Sequence, residues 1–417
     1  MSKKNCKPIK YCRLCLDTKL KTVFDLEKTP LANSFLDKKQ IKKKQILYPL
    51  KLNFCLNCNH LQLSHSVSAG AMFNNYLYLT NTSRQNRNHF KKYANTLKKF
   101  FLHKKKVSIL DIASNDGTFL SFFNKNKFFR IGIDPAKNLK EFSKKLGIKQ
   151  HSIFFTLKNS HLIKKIHGKF DIITANHVCA HVSNLFDFFK GVKNILKPDG
   201  IFVFEVSYLG DVITKKTFDT IYHEHSDYHS LKPLINFVKR FNLEIYNFEL
   251  VDSQGGSIRI YACNKNTKKI NVKKINFQIN LEKKKYKLFK ISTFQNFKLE
   301  VNKVKNKLKK KLTNIKKDRF NIAAYGAAAK STTLMSYFGI GRNLIDFIID
   351  DNYLKQNKFT PVSHIPIFDK TKIYKLKPDY VLILAWNYAD HIIKNNKKFL
   401  KQKGKFIIPF PKIKIIQ

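Results

Sequence analysis

Short apolar runs alternate with longer amphipathic spacers along most of the chain, and this alternation predicts the fold. The runs at 108–111, 129–134, 170–175 and 200–205 have the length of strands, and the first two end in an aspartate. The segment 255–261 fits a closing strand. Strands that are separated by helical spacers are typical of a mainly parallel, doubly wound sheet. The pattern therefore predicts an α/β protein.

A second series of the same kind follows a lysine-rich segment. Residues 266–316 have helical spacing and contain no glycine, which predicts a connecting helix with one exposed face. Apolar runs at 321–326, 345–350, 380–384 and 405–409 then predict another strand-and-helix series. The C-terminal part is therefore expected to form a second, smaller α/β domain.

These patterns divide the chain into four regions. We expect a small zinc-binding lobe over 1–70 and a central doubly wound, Rossmann-like domain over 71–265. A helical connector over 266–316 leads to a C-terminal Rossmann-like domain over 317–417. The 417 residues are 43% hydrophobic, which is enough to bury several cores.

The zinc prediction rests on cysteine spacing near the N-terminus. Five of the seven cysteines lie within the first 58 residues. Two Cys-x-x-Cys pairs supply the expected ligands: Cys12, Cys15, Cys55 and Cys58. Four thiolates complete a tetrahedral shell and leave no position for water, so the site is expected to be structural. Cys6 and His60 are alternatives for one of the four ligands.

The turn after the first central strand predicts a nucleoside-containing cofactor. The segment Asp111-Ile-Ala-Ser-Asn-Asp-Gly117 has small residues that let a ligand approach the backbone, and Asp134 ends the next strand. An acid at that place can accept the hydroxyls of a ribose. A single glycine favours S-adenosylmethionine (SAM) over a nicotinamide cofactor, with a simple strand-to-helix turn that binds no cofactor as the alternative. The expected cofactor-binding residues are Asp111, Ala113, Asn115, Gly117, Asp134 and Asn176.

The segment Ile221-Tyr-His-Glu-His225 is the densest group of titratable side chains in the chain. Histidine is suited to moving a proton near neutral pH, and a phenol and a carboxyl group can orient it or stabilise an oxyanion. A polar loop is the alternative. His181 lies four residues after His177, which places both on one face if a helix begins there.

Two further candidate sites flank the central domain. The spacing of Tyr76 and Tyr78 suits a lid segment, with simple aromatic packing as the alternative. In the C-terminal domain, the turn at Gly326 precedes a helix that carries Lys330. Backbone amides and an ammonium group there would suit a diphosphate, and an ordinary turn with a surface lysine is the alternative.

The charge of the chain is extreme but evenly distributed. Lysine and arginine total 80 against 28 aspartate and glutamate residues, which gives a net charge of +52. Because lysines occur in almost every segment, we interpret the excess as compositional bias and expect no nucleic-acid partner. No apolar run has the length of a membrane span or follows the N-terminus, so we expect a cytoplasmic protein. The oligomeric state is not determined by the sequence.

Taken together, the motifs resemble the sugar C-methyltransferases that act on nucleotide-activated deoxysugars. The resemblance covers nearly the whole chain. It rests on both cysteine pairs and on the segments 60–63, 111–117, 175–181, 197–205, 218–225, 255–259, 325–330, 364–367 and 384–387. Two departures are Ala113, where glycine is frequent, and Ala328, where proline is common.

The resemblance implies transfer of a methyl group from SAM to C3 of a 4-keto sugar carried by a nucleotide diphosphate. By motif, His225 would be the base, with Tyr222, Glu224, His181 and Tyr76 around the sugar. His223 and Tyr78 would contact the substrate, and the C-terminal domain would hold the diphosphate through Gly326 and Lys330. His223 remains an alternative base.

Three other functions stay open at this point. An O- or N-methyltransferase acting on a nucleotide sugar would not need a strong base. An RNA-binding or RNA-modifying methyltransferase would show a clustered basic face with exposed aromatic side chains. A non-catalytic sugar-nucleotide binding protein would not bind SAM.

Overall fold

The computed structural model describes residues 5–73, residue 80 and residues 84–417. The N-terminal part contains β1 (Cys6–Pro8), β2 (Leu20–Thr29), β3 (Tyr48–Cys55), β4 (Leu61–Leu63) and β5 (His65–Val67). Two helices follow, α1 (Ala69–Phe73) and α2 (Arg84–Lys99).

The central part alternates strands and helices. Its elements are β6 (Val107–Ile112), α3 (Thr118–Ser121), β7 (Phe128–Ile133), α4 (Lys140–Lys145), β8 (Lys149–His151), α5 (Leu157–His167), β9 (Phe170–Asn176), α6 (Leu185–Ile195), β10 (Leu196–Ser207), α7 (Leu209–Thr214), β11 (Asp227–Tyr228), α8 (Leu231–Lys239), β12 (Leu243–Val251) and β13 (Ser257–Asn264).

The C-terminal part begins with two helices and continues as a second α/β series. Its elements are α9 (Val272–Asn280), α10 (Ile291–Lys317), β14 (Ile322–Tyr325), α11 (Ala329–Phe338), β15 (Phe347–Ile349), β16 (Ile367–Phe368), α12 (Lys372–Leu376), β17 (Tyr380–Ile383), α13 (Ala389–Asn395), α14 (Lys397–Lys401), β18 (Lys405–Ile408) and β19 (Lys414–Ile416).

The central sheet has the order β12-β13-β10-β9-β6-β7-β8. The five strands from β10 to β8 are parallel, whereas β13 runs antiparallel to both of its neighbours. Strand β9 is buried up to its last residue, as expected for a strand covered on both faces. The predicted doubly wound sheet is confirmed, and the carboxyl ends of its parallel strands meet at one edge.

The C-terminal sheet has the order β16-β15-β14-β17-β18-β19, with only β19 antiparallel. The predicted second Rossmann-like fold is therefore confirmed. In the part of the chain that the structure describes, no helix combines the length and the apolar character needed to cross a membrane.

The connector differs from the single helix that its spacing predicts. A π-helical turn, Leu281–Lys285, follows α9, and the chain then bends before α10 begins. Inside this turn, the buried Glu282 accepts hydrogen bonds from Leu231 N at 2.7 Å and from Tyr208 Oη at 3.1 Å. The carboxyl group of Glu282 thus caps the start of α8, and this long-range contact lies at the point where the regular helix is interrupted.

Strand β10 begins before the predicted run at 200–205 and includes Pro198-Asp-Gly200, where its pairing with β9 shifts register between Leu196 and Ile201. One other prediction requires correction. No helix begins at His177: its backbone has a φ of +56°, and the segment continues as a loop until α6 begins at Leu185. His177 and His181 therefore do not share a helix face.

The three parts of the chain share one hydrophobic core. A single cluster joins Leu52 of β3, Phe218 of the central part, Phe294 of α10 and Ile322 of β14. In addition, β11 completes the N-terminal sheet, whose order is β11-β4-β3-β2. The N-terminal lobe is therefore built partly from the segment that follows the titratable cluster.

Candidate active site and metal centre

The four paired cysteines form one compact group. All of their sulfur atoms lie within 4.8 Å of one another. The Cys12–Cys58 and Cys15–Cys55 sulfur pairs are each 3.5 Å apart. A tetrahedral zinc ion with bonds of about 2.3 Å separates its sulfur ligands by about 3.8 Å. The group therefore has the dimensions of a closed, structural zinc site.

The backbone around each cysteine pair forms a tight turn. Leu16 N donates to Cys12 O at 2.9 Å, and Asn59 N donates to Cys55 O at 3.0 Å. Both donors have a φ near +65°, in the left-handed region. The alternative ligand His60 instead places Nε2 2.9 Å from an oxygen of Asp227.

The turn after β6 is built from left-handed residues. Ala113, Asn115 and Gly117 have φ values of +56°, +52° and +78°. The turn packs closely on β7, because a Cβ atom on Gly132 would lie 2.5 Å from Ser114 Oγ. Small residues are therefore required on both sides of this contact.

Two buried carboxyl groups flank this turn. Asp134 accepts hydrogen bonds from Asn115 N and Ala136 N, both at 2.9 Å. Asp111 accepts from Thr174 Oγ1 at 2.7 Å and from Asn176 Nδ2 at 3.3 Å. Burial raises the pKa of Asp111 to about 7 and also raises the pKa of Asp134. The carboxyl ends of β6, β7 and β9 thus bring the expected cofactor residues together.

The titratable cluster is organised around His225. Its Nδ1 lies 2.8 Å from Thr220 O, and its Nε2 lies 2.8 Å from Tyr222 Oη. Because a carbonyl can only accept, Nδ1 carries the proton and Nε2 accepts from the phenol. The ring of His181 packs edge-on against this imidazole, with 4.9 Å between centroids.

The surroundings keep these histidines neutral. Burial, followed by the nearby His181, holds the pKa of His225 well below its usual value of 6.5. Burial also lowers the pKa of His181 to about 4. In contrast, burial raises the pKa of Glu224 to about 7. The cluster therefore offers neutral imidazoles beside a carboxyl group that titrates near neutral pH.

The structure separates His223 from His225. His223 is 2% exposed, and its Nε2 faces Tyr48 O of β3 at 3.3 Å. Burial lowers the pKa of His223 to about 4. Its imidazole thus lies against the N-terminal lobe, whereas that of His225 contacts Tyr222 and His181.

Several residues that contact the candidate site from distant segments were not identified from the sequence. Asn33 Nδ2 donates to Glu224 Oε1 at 2.7 Å. Glu205, at the end of β10, pairs with Arg259 at 2.9 Å and contacts His89 and His177. The acidic end of the strand at 200–205 was a signal for Glu205, but its partners come from α2, from the loop after β9 and from β13.

The C-terminal domain contributes Lys330, which lies where this domain contacts the central part of the chain. Lys330 Nζ donates to Gln254 O at 2.8 Å, and burial lowers the pKa of the ammonium group. The turn before it uses its first amides internally, because Gly326 N donates to Ile349 O and Ala327 N donates to an oxygen of Asp350. The expected lid residues Tyr76 and Tyr78 lie outside the described residues.

Three family models match consecutive parts of the chain. A zinc binding domain matches residues 12–73, a methyltransferase domain matches 85–247, and a C-methyltransferase C-terminal domain matches 252–411. Over 98% of its length, the chain is 29% identical to the C-methyltransferase NovU of Streptomyces niveus, of which it covers 97%. The chain is a SAM-dependent C-methyltransferase. All four clustered cysteines lie within the part of the chain that matches the zinc binding domain.

Solved methyltransferases resemble part of the enzyme. A SAM-dependent methyltransferase from Clostridium acetobutylicum is 17% identical, with 42% of this chain and 92% of that chain covered and a TM-score of 0.35. The magnesium protoporphyrin IX methyltransferase from Synechocystis, solved with SAH, is 9% identical, with 43% and 83% covered and a TM-score of 0.34.

A substitution at Asp134 tests the SAM site of the methyltransferase. Asp134→Ala is expected to weaken SAM binding at least tenfold, because each hydrogen bond to a charged group contributes about 1.5–3 kcal/mol. Calorimetric titration measures this change. Asp116→Ala serves as a control, since Asp116 accepts from Thr118 N inside α3 and has no predicted role with the ribose. Unchanged SAM affinity in Asp134→Ala would contradict the assignment.

The pH profile tests the electrostatics of the cluster. Because the pKa of His225 is lowered, the imidazole stays neutral as the pH falls through 6.5. Glu224→Gln removes the carboxyl group of the cluster that has a pKa of about 7. At saturating SAM, so that Asp111 of the proposed cofactor site does not contribute, kcat/KM for the sugar nucleotide is expected to remain constant in this variant from pH 8 to below 6.5. The parent enzyme is expected to show an additional titration near pH 7. An acid limb at 6.5 in the variant would contradict a lowered histidine pKa.

Proposed function

We propose that the enzyme methylates C3 of a nucleotide-activated 4-keto deoxysugar, with His225 as the general base. The observation that carries this proposal is the hydrogen bond between Tyr222 Oη and the unprotonated Nε2 of a neutral His225. A phenol and an imidazole in contact can accept a proton from carbon and stabilise an enolate oxygen together.

The cofactor residues are assigned to the carboxyl edge of the central sheet. Asp134 would accept the ribose hydroxyls, since each of its oxygens retains a lone pair beyond the one amide that it accepts. Around the rest of the cofactor we propose Asp111, Ala113, Asn115, Gly117 and Asn176. When bound, SAM supplies an electrophilic methyl group on its sulfonium.

The chemistry explains why a base is needed. A carbon beside a ketone becomes nucleophilic only when its proton leaves. Tyr222 Oη would turn its proton from Nε2 to the ketone oxygen of the sugar. His225 would then take the C3 proton at the freed Nε2, and the C–H electron pair would pass into an enolate. Tyr222 and protonated Glu224 carry O–H groups suited to the enolate oxygen, and His181 would hold the His225 ring.

Other residues are proposed for the substrate. Lys330 would contact the diphosphate, because its ammonium group is enclosed at the domain interface beside Gln254 O and near Asp219. The Gly326 amide donates to Ile349 O, so the proposed role of Gly326 is to shape the turn. His223, Tyr78 and Tyr76 complete the proposed set around the sugar.

An RNA acceptor is less consistent with the distribution of charge. A basic groove of about 520 Å³ includes Lys106, Lys125 and Lys149 together with the half-exposed Phe129. This groove lies where β6 and β7 begin, at the edge of the central sheet opposite the turn that follows β6. An RNA bound there would not reach a methyl group at the carboxyl edge.

The decisive experiment is incubation of the enzyme with methyl-labelled SAM and a panel of nucleotide 4-keto-6-deoxysugars. Mass spectrometry with carbon-13 NMR then locates the label. A labelled methyl group on C3 supports the proposal. A label on oxygen or nitrogen would favour the alternative O- or N-methylation, and labelling of added RNA alone would favour RNA modification.

A further inference from the structure

Arg13 lies between two zinc ligands, yet its side chain reaches into the central part of the chain. The residue is 8% exposed. Its Nε lies 3.0 Å from each carboxylate oxygen of Asp227. Nη1 donates to Ser183 O at 2.9 Å, and Nη2 donates to Val182 O. One guanidinium therefore contacts two segments that are distant in sequence.

These two segments carry the proposed catalytic histidines. Val182 and Ser183 directly follow His181, and Asp227 lies two residues after His225. The planar guanidinium donates to Asp227 through one edge and to the carbonyls of Val182 and Ser183 through another. It therefore fixes the distance and the relative orientation of the two loops.

The loops also contact each other at the point where the histidines meet. Ser226 N donates to Ala180 O at 2.7 Å, one residue away from each histidine. The two imidazole centroids are 4.9 Å apart. A shift of one loop relative to the other would therefore change the packing of His181 against His225.

The zinc turn fixes the other end of Arg13. Arg13 N donates to Gln62 Oε1 at 2.7 Å, and Gln62 Nε2 donates to Tyr11 O at 3.1 Å. Gln62 also pairs with Asp227 between β4 and β11. The backbone of the cysteine turn, the guanidinium and its carboxylate partner are thus held in one rigid frame.

We propose that Arg13 is a positioning residue that sets the relative placement of His181 and His225 from the zinc-bound turn. This inference rests on the proposed function, because it assigns the two histidines to the reaction. It gives the zinc centre a role in active-site geometry in addition to the folding of its own lobe.

Arg13→Lys tests the proposal with the charge retained. The lysine ammonium cannot donate to the carboxylate and to both carbonyls in one plane. Zinc content and SAM affinity are expected to stay unchanged, while kcat for methyl transfer falls by between about ten- and a hundredfold. The KM of the sugar nucleotide is expected to change less than twofold.

Arg240→Lys is the matched control. Arg240 also contacts the zinc lobe, through Cys15 O at 3.3 Å, but it is exposed and contacts neither histidine loop. Its variant is expected to retain the parent kcat. A kcat within twofold of the parent in Arg13→Lys, or a loss of activity matched by an equal loss of zinc or of folded protein, would overturn the proposal.

A second readout does not depend on turnover. In enzyme labelled with carbon-13 at histidine Cε1, the resonances of His181 and His225 are assigned from His181→Gln and His225→Asn. Both resonances are expected to move in Arg13→Lys and to stay fixed in Arg240→Lys. If the parent methylates no sugar nucleotide, the proposed function fails, and these spectra still decide whether Arg13 positions the loops.

Asp227→Asn provides the same test from the other partner. It keeps the shape of the carboxylate and removes the charge that attracts the guanidinium. If Arg13→Lys does not fold, Asp227→Asn carries the same expectations for kcat and for both resonances. If neither variant yields folded enzyme, the pair is purely structural and the proposal is overturned.

Discussion

Replacing His225 with asparagine is expected to slow methyl transfer by about 10²–10⁴-fold while SAM affinity stays at the parent value. Asparagine retains a group that can donate to Thr220 O, but it offers no basic nitrogen to the phenol of Tyr222. The enzyme would therefore keep the shape of the cluster and lose its ability to accept the C3 proton.

Proton exchange separates loss of the base from loss of methyl transfer. In deuterated water without SAM, exchange at the sugar C3 is expected to fall in parallel with turnover in His225→Asn. His223→Asn is the matched comparison, because His223 Nε2 faces Tyr48 O of β3. As a proposed substrate contact, His223 could affect the KM, but its variant should leave exchange at saturating sugar nucleotide within a few-fold of the parent. If exchange survives in His225→Asn and is abolished in His223→Asn, the base is His223. Activity in both variants would favour O-methylation.

Loss of one zinc ligand is expected to remove the bound metal and to destabilise the folded N-terminal lobe. Cys55→Ser should abolish stoichiometric zinc and unfold the N-terminal lobe, because structural zinc contributes about 10–16 kcal/mol to the folding of small domains. Cys55 ends β3, whose first residue, Tyr48, contacts His223. The loss should therefore extend to the catalytic cluster.

Metal analysis and thermal unfolding of the same preparation measure this effect. Cys6→Ser is the control, because Cys6 lies in β1 and is not one of the four clustered cysteines. It should retain one zinc per chain and the parent Tm. Purified parent enzyme that contains no zinc and has four reactive thiols at these positions would contradict the assignment.

Features that depend on residues close together in the sequence could be predicted from it. The paired cysteines predicted the four-cysteine cluster, and the apolar runs predicted the parallel strands of both sheets except β8 and β16. Strand β8, with the sequence Lys149-Gln-His151, was not predictable because it lacks an apolar pattern and exists only through pairing with β7. His177 has a left-handed φ directly after β9, where the sequence allowed a helix to begin.

The motifs of the candidate site could be recognised in the sequence, but the distant residues that contact them could not. The cluster at 221–225 was visible, but Asn33 reaches Glu224 across 191 positions and Arg13 reaches Asp227 across 214. Neither residue has a periodicity or a motif of its own that indicates these contacts. Such partners are determined by the way the three parts pack, which a single sequence does not specify.

The pairing of β11 with β4 limits how this enzyme can be recombined with relatives. A zinc lobe that is cut out near residue 73 would leave the β4 edge without its partner and expose backbone groups that invite association with other strands. A chimaera that exchanges substrate specificity should therefore transfer the N-terminal lobe together with Asp227–Tyr228. In evolutionary terms, these distant segments are expected to be inherited as one unit.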